Sequence, residues 1–152
     1  VERSIAKLRN WTPAQIAALV FGIWWIGNGV AVFLAEPAGA TLGSGSAVRT
    51  LGLSIAVNGW HGLFHLATGL AGVAVCWWPG KARAFALVVG TIYLVAACWS
   101  LFDSATVFGL IRVDELGSAD HAAEGVLLLA AWLASAGRPR LTRLLGRGAI
   151  AD

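Results

Sequence analysis

Charged residues in this chain are confined to short blocks between long apolar runs, and no other feature limits its fold so strongly. An uncharged apolar stretch of about 18 residues or more is long enough to cross a bilayer as a helix. Composition agrees. Only 12% of the 152 residues are charged and 58% are hydrophobic, against roughly 25% charged in a soluble domain. The mean hydropathy is +0.74. These values predict an integral membrane protein of one domain. The net charge of +3 and pI near 9.4 would suggest nucleic acid in a soluble protein. Here the basic residues stand at segment ends, where anionic headgroups and membrane topology account for them, and no nucleic-acid partner is expected.

The first helix is predicted over 13–35. Thr12 can cap it, Pro13 suits its first position, and Gln15 stands where a capping box needs Glu or Gln. Residues 1–12 before it form an amphipathic lead-in for the headgroup layer. No short apolar stretch with a small-residue cleavage site precedes this run, so no cleavable signal peptide is expected, although the chain begins with Val rather than Met. Glu36-Pro37 ends the helix, and 37–50, rich in Gly, Ser, Ala and Thr, reads as a loop. The second run, 51–78, would reach about 42 Å as one helix, against about 30 Å of hydrocarbon. Its first turns, 51–58, are therefore placed in the interface or above it. Trp77-Trp78-Pro79-Gly80 closes it. A third helix is predicted over 83–103. The loop 103–119 has a middle, Val107 to Val113, too apolar to stand free of the helices. A fourth helix over 119–136 is capped by Asp120 or Ser118, and a basic tail covers 137–152.

Orientation follows from the cations. Arg3, Lys7, Arg9, Lys81, Arg83, Arg138, Arg140, Arg143 and Arg147, nine of the eleven basic residues, fall on one side, and Arg49 and Arg112 on the other. The fold class expected is all-α: an antiparallel bundle of four transmembrane helices in the cell membrane, with both termini cytoplasmic. Cys76 and Cys98 then differ in depth by roughly 18 Å, too far to bridge, and read as packing residues.

The polar residues gather in the outer leaflet of that arrangement. On a helix, Ser54, Asn58, His61, His65 and Thr68 recur at spacings of four and three and share one face. Asn28 on the first helix, Ser100 and Asp103 on the third, and Asp120, His121 and Glu124 on the fourth lie at the same depth. Thr91 is left in the inner half, with Tyr93 near the middle. Intramembrane polar groups are costly and commonly mark a site. Three readings compete. One is a hydrogen-bonded network that fixes helix register. Another is a metal site: His61 and His65, at i and i+4, present two imidazoles on one face, and His121 or Glu124 completes the sphere around a transition metal. The last is a pocket open to the outside in which histidine titrates near neutral pH. His61 and His65 cannot clamp one haem between them, since they share a helix face; either could pair across a haem with a residue of the fourth helix.

Other features are structural. Trp24-Trp25 reads as packing. Gly59, Gly62, Gly69 and Gly72, with Ala67, let another helix approach closely, within the chain or from another protein. Asp103 and Asp114 read as solvated carboxylates. The chain has no Ser-His-Asp order, phosphate-binding glycine loop, Cys-x-x-Cys or His-Glu-x-x-His, so it gives an enzyme reading little support.

Leu51-Gly52-Leu53 leading into Asn58-Gly-Trp-His61-Gly-Leu-Phe-His65-Leu-Ala-Thr-Gly69, then Ile92-Tyr93-Leu94-Val95, then Ser118-Ala119-Asp120, resemble a family of small four-helix membrane proteins, mainly actinobacterial, known only as a domain of unknown function. The match covers roughly residues 14–136. The resemblance implies four helices and a membrane location and brings no activity. The family tends to place a histidine four residues after the aspartate that opens the last helix; here that position is Glu124, with the histidine at His121. The function expected first is a non-enzymatic accessory or interaction subunit, its partners the bilayer and other membrane proteins or a second copy, with the polar cluster structural. The alternative is a metal-, haem- or small-ligand-binding membrane protein that uses His61, His65, His121 and Glu124, with a redox or transport role.

Overall fold

The computed structural model describes residues 11–36, 40–50, 52–103 and 105–136. The expected lead-in, apart from Trp11 and Thr12, and the expected basic tail lie outside the described residues. The chain runs α1 (Pro13–Ala35), β1 (Gly45–Thr50), β2 (Leu53–Asn58), α2 (Gly59–Val75), α3 (Pro79–Trp99), β3 (Thr106–Val107), β4 (Ile111–Arg112) and α4 (Glu115–Ala134). Among the described residues four helices carry the fold. It is not all-α, because each of two helix-to-helix connections is an antiparallel hairpin, β1–β2 and β3–β4.

The first hairpin corrects the expectation for 51–58. A short apolar run does not distinguish strand from helix by periodicity. Two residues decide it. Gly52, at φ +84°, lets the chain reverse, so that Thr50 pairs with Leu53 and Gly45 with Asn58. Asn58 is the N-cap of α2, its side chain accepting from His61 N at 3.0 Å. Ser54 is consequently an exposed strand residue opposite Arg49, away from the helical stripe.

The helix ends shift for similar reasons. Pro79 occupies the first turn of α3, which starts four residues before the expected 83 and ends at Trp99. α4 starts at Glu115, not 119, because Asp114 caps it by accepting from Gly117 N at 2.8 Å. Asp114 is not a solvated carboxylate: its other oxygen accepts from Ala56 N of β2 at 2.8 Å. One side chain thus starts α4 and ties it to the first hairpin. Asp114→Ala is expected to lower stability by about 1–3 kcal/mol, an N-cap plus a strand N–H left without its acceptor. Thermal unfolding in detergent would show it, and an unchanged midpoint would contradict the assignment.

Glycines set how close the helices approach. α1 packs mainly on α2 and α3 on α4. A Cβ on Gly69 would stand 2.7 Å from Gly22 O, and one on Gly72 2.7 Å from Ala18 O. Across the other pair, a Cβ on Gly125 would stand 2.9 Å from Gly90 O. The glycines of α2 are therefore used within the chain. The core between the pairs holds Trp25, Tyr93, Phe85 and Leu128, with the Trp25 and Tyr93 rings stacked 4.5 Å apart. Ser135 Oγ accepts from Ala14 N at 2.9 Å and joins the end of α4 to the start of α1. Two helices, α1 and α3, are long and apolar enough to cross a membrane. Cys76 is buried, Cys98 is exposed on α3, and neither is in a disulfide.

Candidate metal centre

His61 and His65, one turn apart on α2, meet His121 of α4 at the end of the helices where the hairpins sit. All three are buried. One ligating nitrogen from each can be chosen so that all lie within 4.8 Å of one another. The His61 and His65 rings stack 4.7 Å apart, and His121 stands 5.2 and 5.8 Å from them.

The hydrogen bonds assign the ring hydrogens. His61 Nδ1 lies 2.8 Å from Arg112 O. A carbonyl only accepts, so His61 donates from Nδ1 and, in the neutral ring, turns a lone pair out from Nε2. That lone pair faces His65 Nε2 at 2.9 Å, which without an ion must donate to it. His65 Nδ1 is then left to the Tyr93 hydroxyl at 3.4 Å, which also stands 3.4 Å from Thr68 Oγ1. The arrangement suits a cation equally well. An ion at the two Nε2 atoms takes the place of the His65 hydrogen, and each outer Nδ1 already has a partner, a backbone carbonyl or a tyrosine oxygen, of the kind that orients metal-bound histidines. His121 Nδ1 is buried without a hydrogen-bond partner. The histidines therefore do not form a closed hydrogen-bonded network by themselves.

The second hairpin builds the support. Asn58 accepts from His61 N and from Arg112 N at 3.3 Å, and donates to Leu110 O at 2.8 Å. It thereby fixes the strand whose carbonyl holds His61. Beside the histidines is a cavity of about 30 Å³, also lined by Asn28 of α1, Asp120 of α4 and the valines of both β1 and β2. A water needs about 10–15 Å³ of such space, so the cavity has room for a water or a ligand of two or three atoms.

The residues expected to cluster divide into groups. His61, His65 and His121 come together, and Asn28 and Asp120 reach the same cavity. The Asn58 side chain acts on backbone groups, the N–H of His61 and Arg112 and the carbonyl of Leu110. Glu124 is buried one turn from Asp120 but is not among the converging ligands: its Oε1 accepts from Trp24 Nε1 at 3.0 Å and Trp25 Nε1 at 2.8 Å. The tryptophan pair is thus more than packing. Ser100 donates to Ala97 O at the end of α3. Asp103 folds on its own turn, and the Thr106 hydroxyl with the Ala105 and Thr106 N–H groups holds its carboxyl below the usual range. Neither Ser100 nor Asp103 lines the cavity. Sequence reasoning does not reach Tyr93 or the Arg112 carbonyl: backbone groups leave no mark in a sequence, and depth places Tyr93 apart from the outer cluster.

The chain belongs to the family described as a domain of unknown function (DUF4383), whose model matches residues 15–137. No curated protein and no solved structure matches it.

Proposed function

We propose that this is a four-span protein of the cell membrane whose working centre is a three-histidine site for a divalent transition metal, set in the outer half of the bilayer. The observation that carries the site is the convergence of three buried imidazoles within 4.8 Å. An ion with bonds of about 2.0–2.1 Å at tetrahedral angles needs its nitrogens about 3.4 Å apart. The His61–His65 pair, at 2.9 Å, has to open slightly, and His121 has to close by up to about 1.4 Å. Side-chain rotation covers both changes. An all-imidazole set suits Zn, Cu, Fe or Ni more than Mg or Ca.

The membrane reading rests on all four helices. α1 and α3, with 23 and 21 residues, and α4, with 20, reach about 30–35 Å. α2, with 17, reaches about 26 Å and is extended by the turn through Trp78. α4 turns His121 and Glu124 inward, which is how a helix with these residues can cross hydrocarbon. Outward residues such as Ile23, Leu34 and Leu127 are apolar. Exposed Trp77 and Trp78, with Lys81 over the Trp78 ring, suit a headgroup boundary. By the cation count that boundary is cytoplasmic, together with both termini. The accessory-subunit function expected first drew on Gly-rich faces open to a partner; the closest contacts of the α2 glycines are within the chain.

Elemental analysis tests the site. Detergent-purified, untagged protein, stripped with chelator and reloaded with Zn²⁺, is expected to keep one ion per chain after desalting. His65→Ala and His121→Ala are expected to fall to background with an unchanged far-ultraviolet circular dichroism spectrum, while Ser100→Ala keeps the ion. Wild-type protein that retains no zinc, or histidine variants that retain as much as wild type, would overturn the reading.

A further inference from the structure

The cavity beside the triad determines what kind of metal site this is. Structural zinc sites close with four protein ligands, whereas reactive ones keep three and leave a position for water or substrate. Among the described residues no fourth protein ligand converges. Glu124 gives one oxygen to the two indoles, and its other, buried without a hydrogen-bond partner, does not converge with the three histidines. Cys76 lies at the far end of α2, and Cys98 is exposed. What stands against the three histidines instead is the 30 Å³ cavity. Its other polar walls are the Asn28 amide and the Asp120 carboxylate, both partly exposed and neither making a side-chain hydrogen bond among the described residues. His121, whose Nδ1 is buried without a hydrogen-bond partner, also lines the cavity. A trapped water needs about one probe sphere of space and two to four polar partners. An ion on the histidines, Asn28 and Asp120 supply them. The rest of the lining is apolar, with Val32, Val48, Ile55 and Val57.

We propose that the metal keeps an open coordination position in this cavity, filled by a water held between Asn28 and Asp120 and exchangeable for a small ligand of two or three atoms. The inference rests on the metal reading above. The cavity admits a diatomic molecule or a linear triatomic anion and excludes an organic substrate, while partly exposed Asn28 and Asp120 give it a polar entrance. Exchange is a simple substitution: the water leaves as the new donor atom binds, with no change of oxidation state.

Cobalt(II) in place of the native ion makes the exchange visible, and azide is the probe. Wild-type protein loaded with Co²⁺ is expected to show a saturable change in its visible bands as azide is added, with the cobalt still bound. Val48→Phe, which fills the cavity from β1, is expected to hold cobalt and lose the azide response. Asp120→Asn, which removes a negative charge from the cavity wall, is expected to bind azide more tightly than wild type. A cobalt-loaded wild type with no azide response, or an unaltered response in both variants, would overturn the open position while leaving the metal site standing. Failure to take up cobalt at all would overturn both.

Discussion

Gly69→Val is expected to abolish the close packing of α1 on α2, and even Gly69→Ala is expected to destabilise the protein by about 1–3 kcal/mol. The reason is what a side chain would meet. A Cβ at Gly69 would stand 2.7 Å from Gly22 O and 2.8 Å from Ile26 N. Both are backbone atoms of α1 and cannot rotate away, so the helices themselves must separate. Separation would also disturb the site, since α1 supplies Asn28 to the cavity and two tryptophans to Glu124. Gly27 on α1 provides an internal control of opposite sign. Nothing lies within 4 Å of a Cβ there, and an alanine in mid-helix gains roughly 0.5–1 kcal/mol over glycine. Thermal unfolding followed by tryptophan fluorescence should therefore place Gly69→Ala below wild type and Gly27→Ala at or above it. Equal midpoints for the two alanine variants would mean that the helices are not held at glycine distance.

Glu124→Leu is expected to be about as damaging, and Glu124→Gln much less so. One carboxyl oxygen accepts from both indoles, at 3.0 and 2.8 Å. Leucine leaves two indole N–H groups without an acceptor, one fully buried, at about 1–3 kcal/mol for each buried donor. Glutamine keeps a carbonyl oxygen that can take both. The predicted order in unfolding midpoint is wild type, then Gln, then Leu. Because Glu124 lies outside the converging ligands, the glutamine variant should also bind metal with wild-type stoichiometry. Loss of metal in Glu124→Gln would show that the carboxylate ligates after all.

Glu124 and His121 mark the limit of what spacing and depth convey. Spacing alone brought His61 and His65 to one face, because i and i+4 on a helix leave no choice. Depth brought His121 to the same level across the chain. Depth could not separate Glu124 from His121, three residues apart on α4, since it does not say which neighbour claims a side chain. Trp24 and Trp25 were read as packing because an indole is mostly hydrocarbon; its single N–H matters only once an acceptor is buried beside it. The four helices were legible from charge segregation and hydropathy, but both hairpins were missed. In 51–58 the apolar run continued smoothly into α2, and only Gly52 and Asn58 marked the break. β3–β4 pairs two residues with two, too short for any periodicity to register. That hairpin nevertheless carries the carbonyl that orients His61.

X-ray absorption at the zinc edge, on the reloaded protein in detergent, tests the central claim most directly. Three imidazole nitrogens at about 2.0–2.1 Å are expected, with imidazole multiple scattering, and a fourth light atom from solvent. A shell of oxygen atoms without imidazole scattering, or a sulfur ligand, would contradict it.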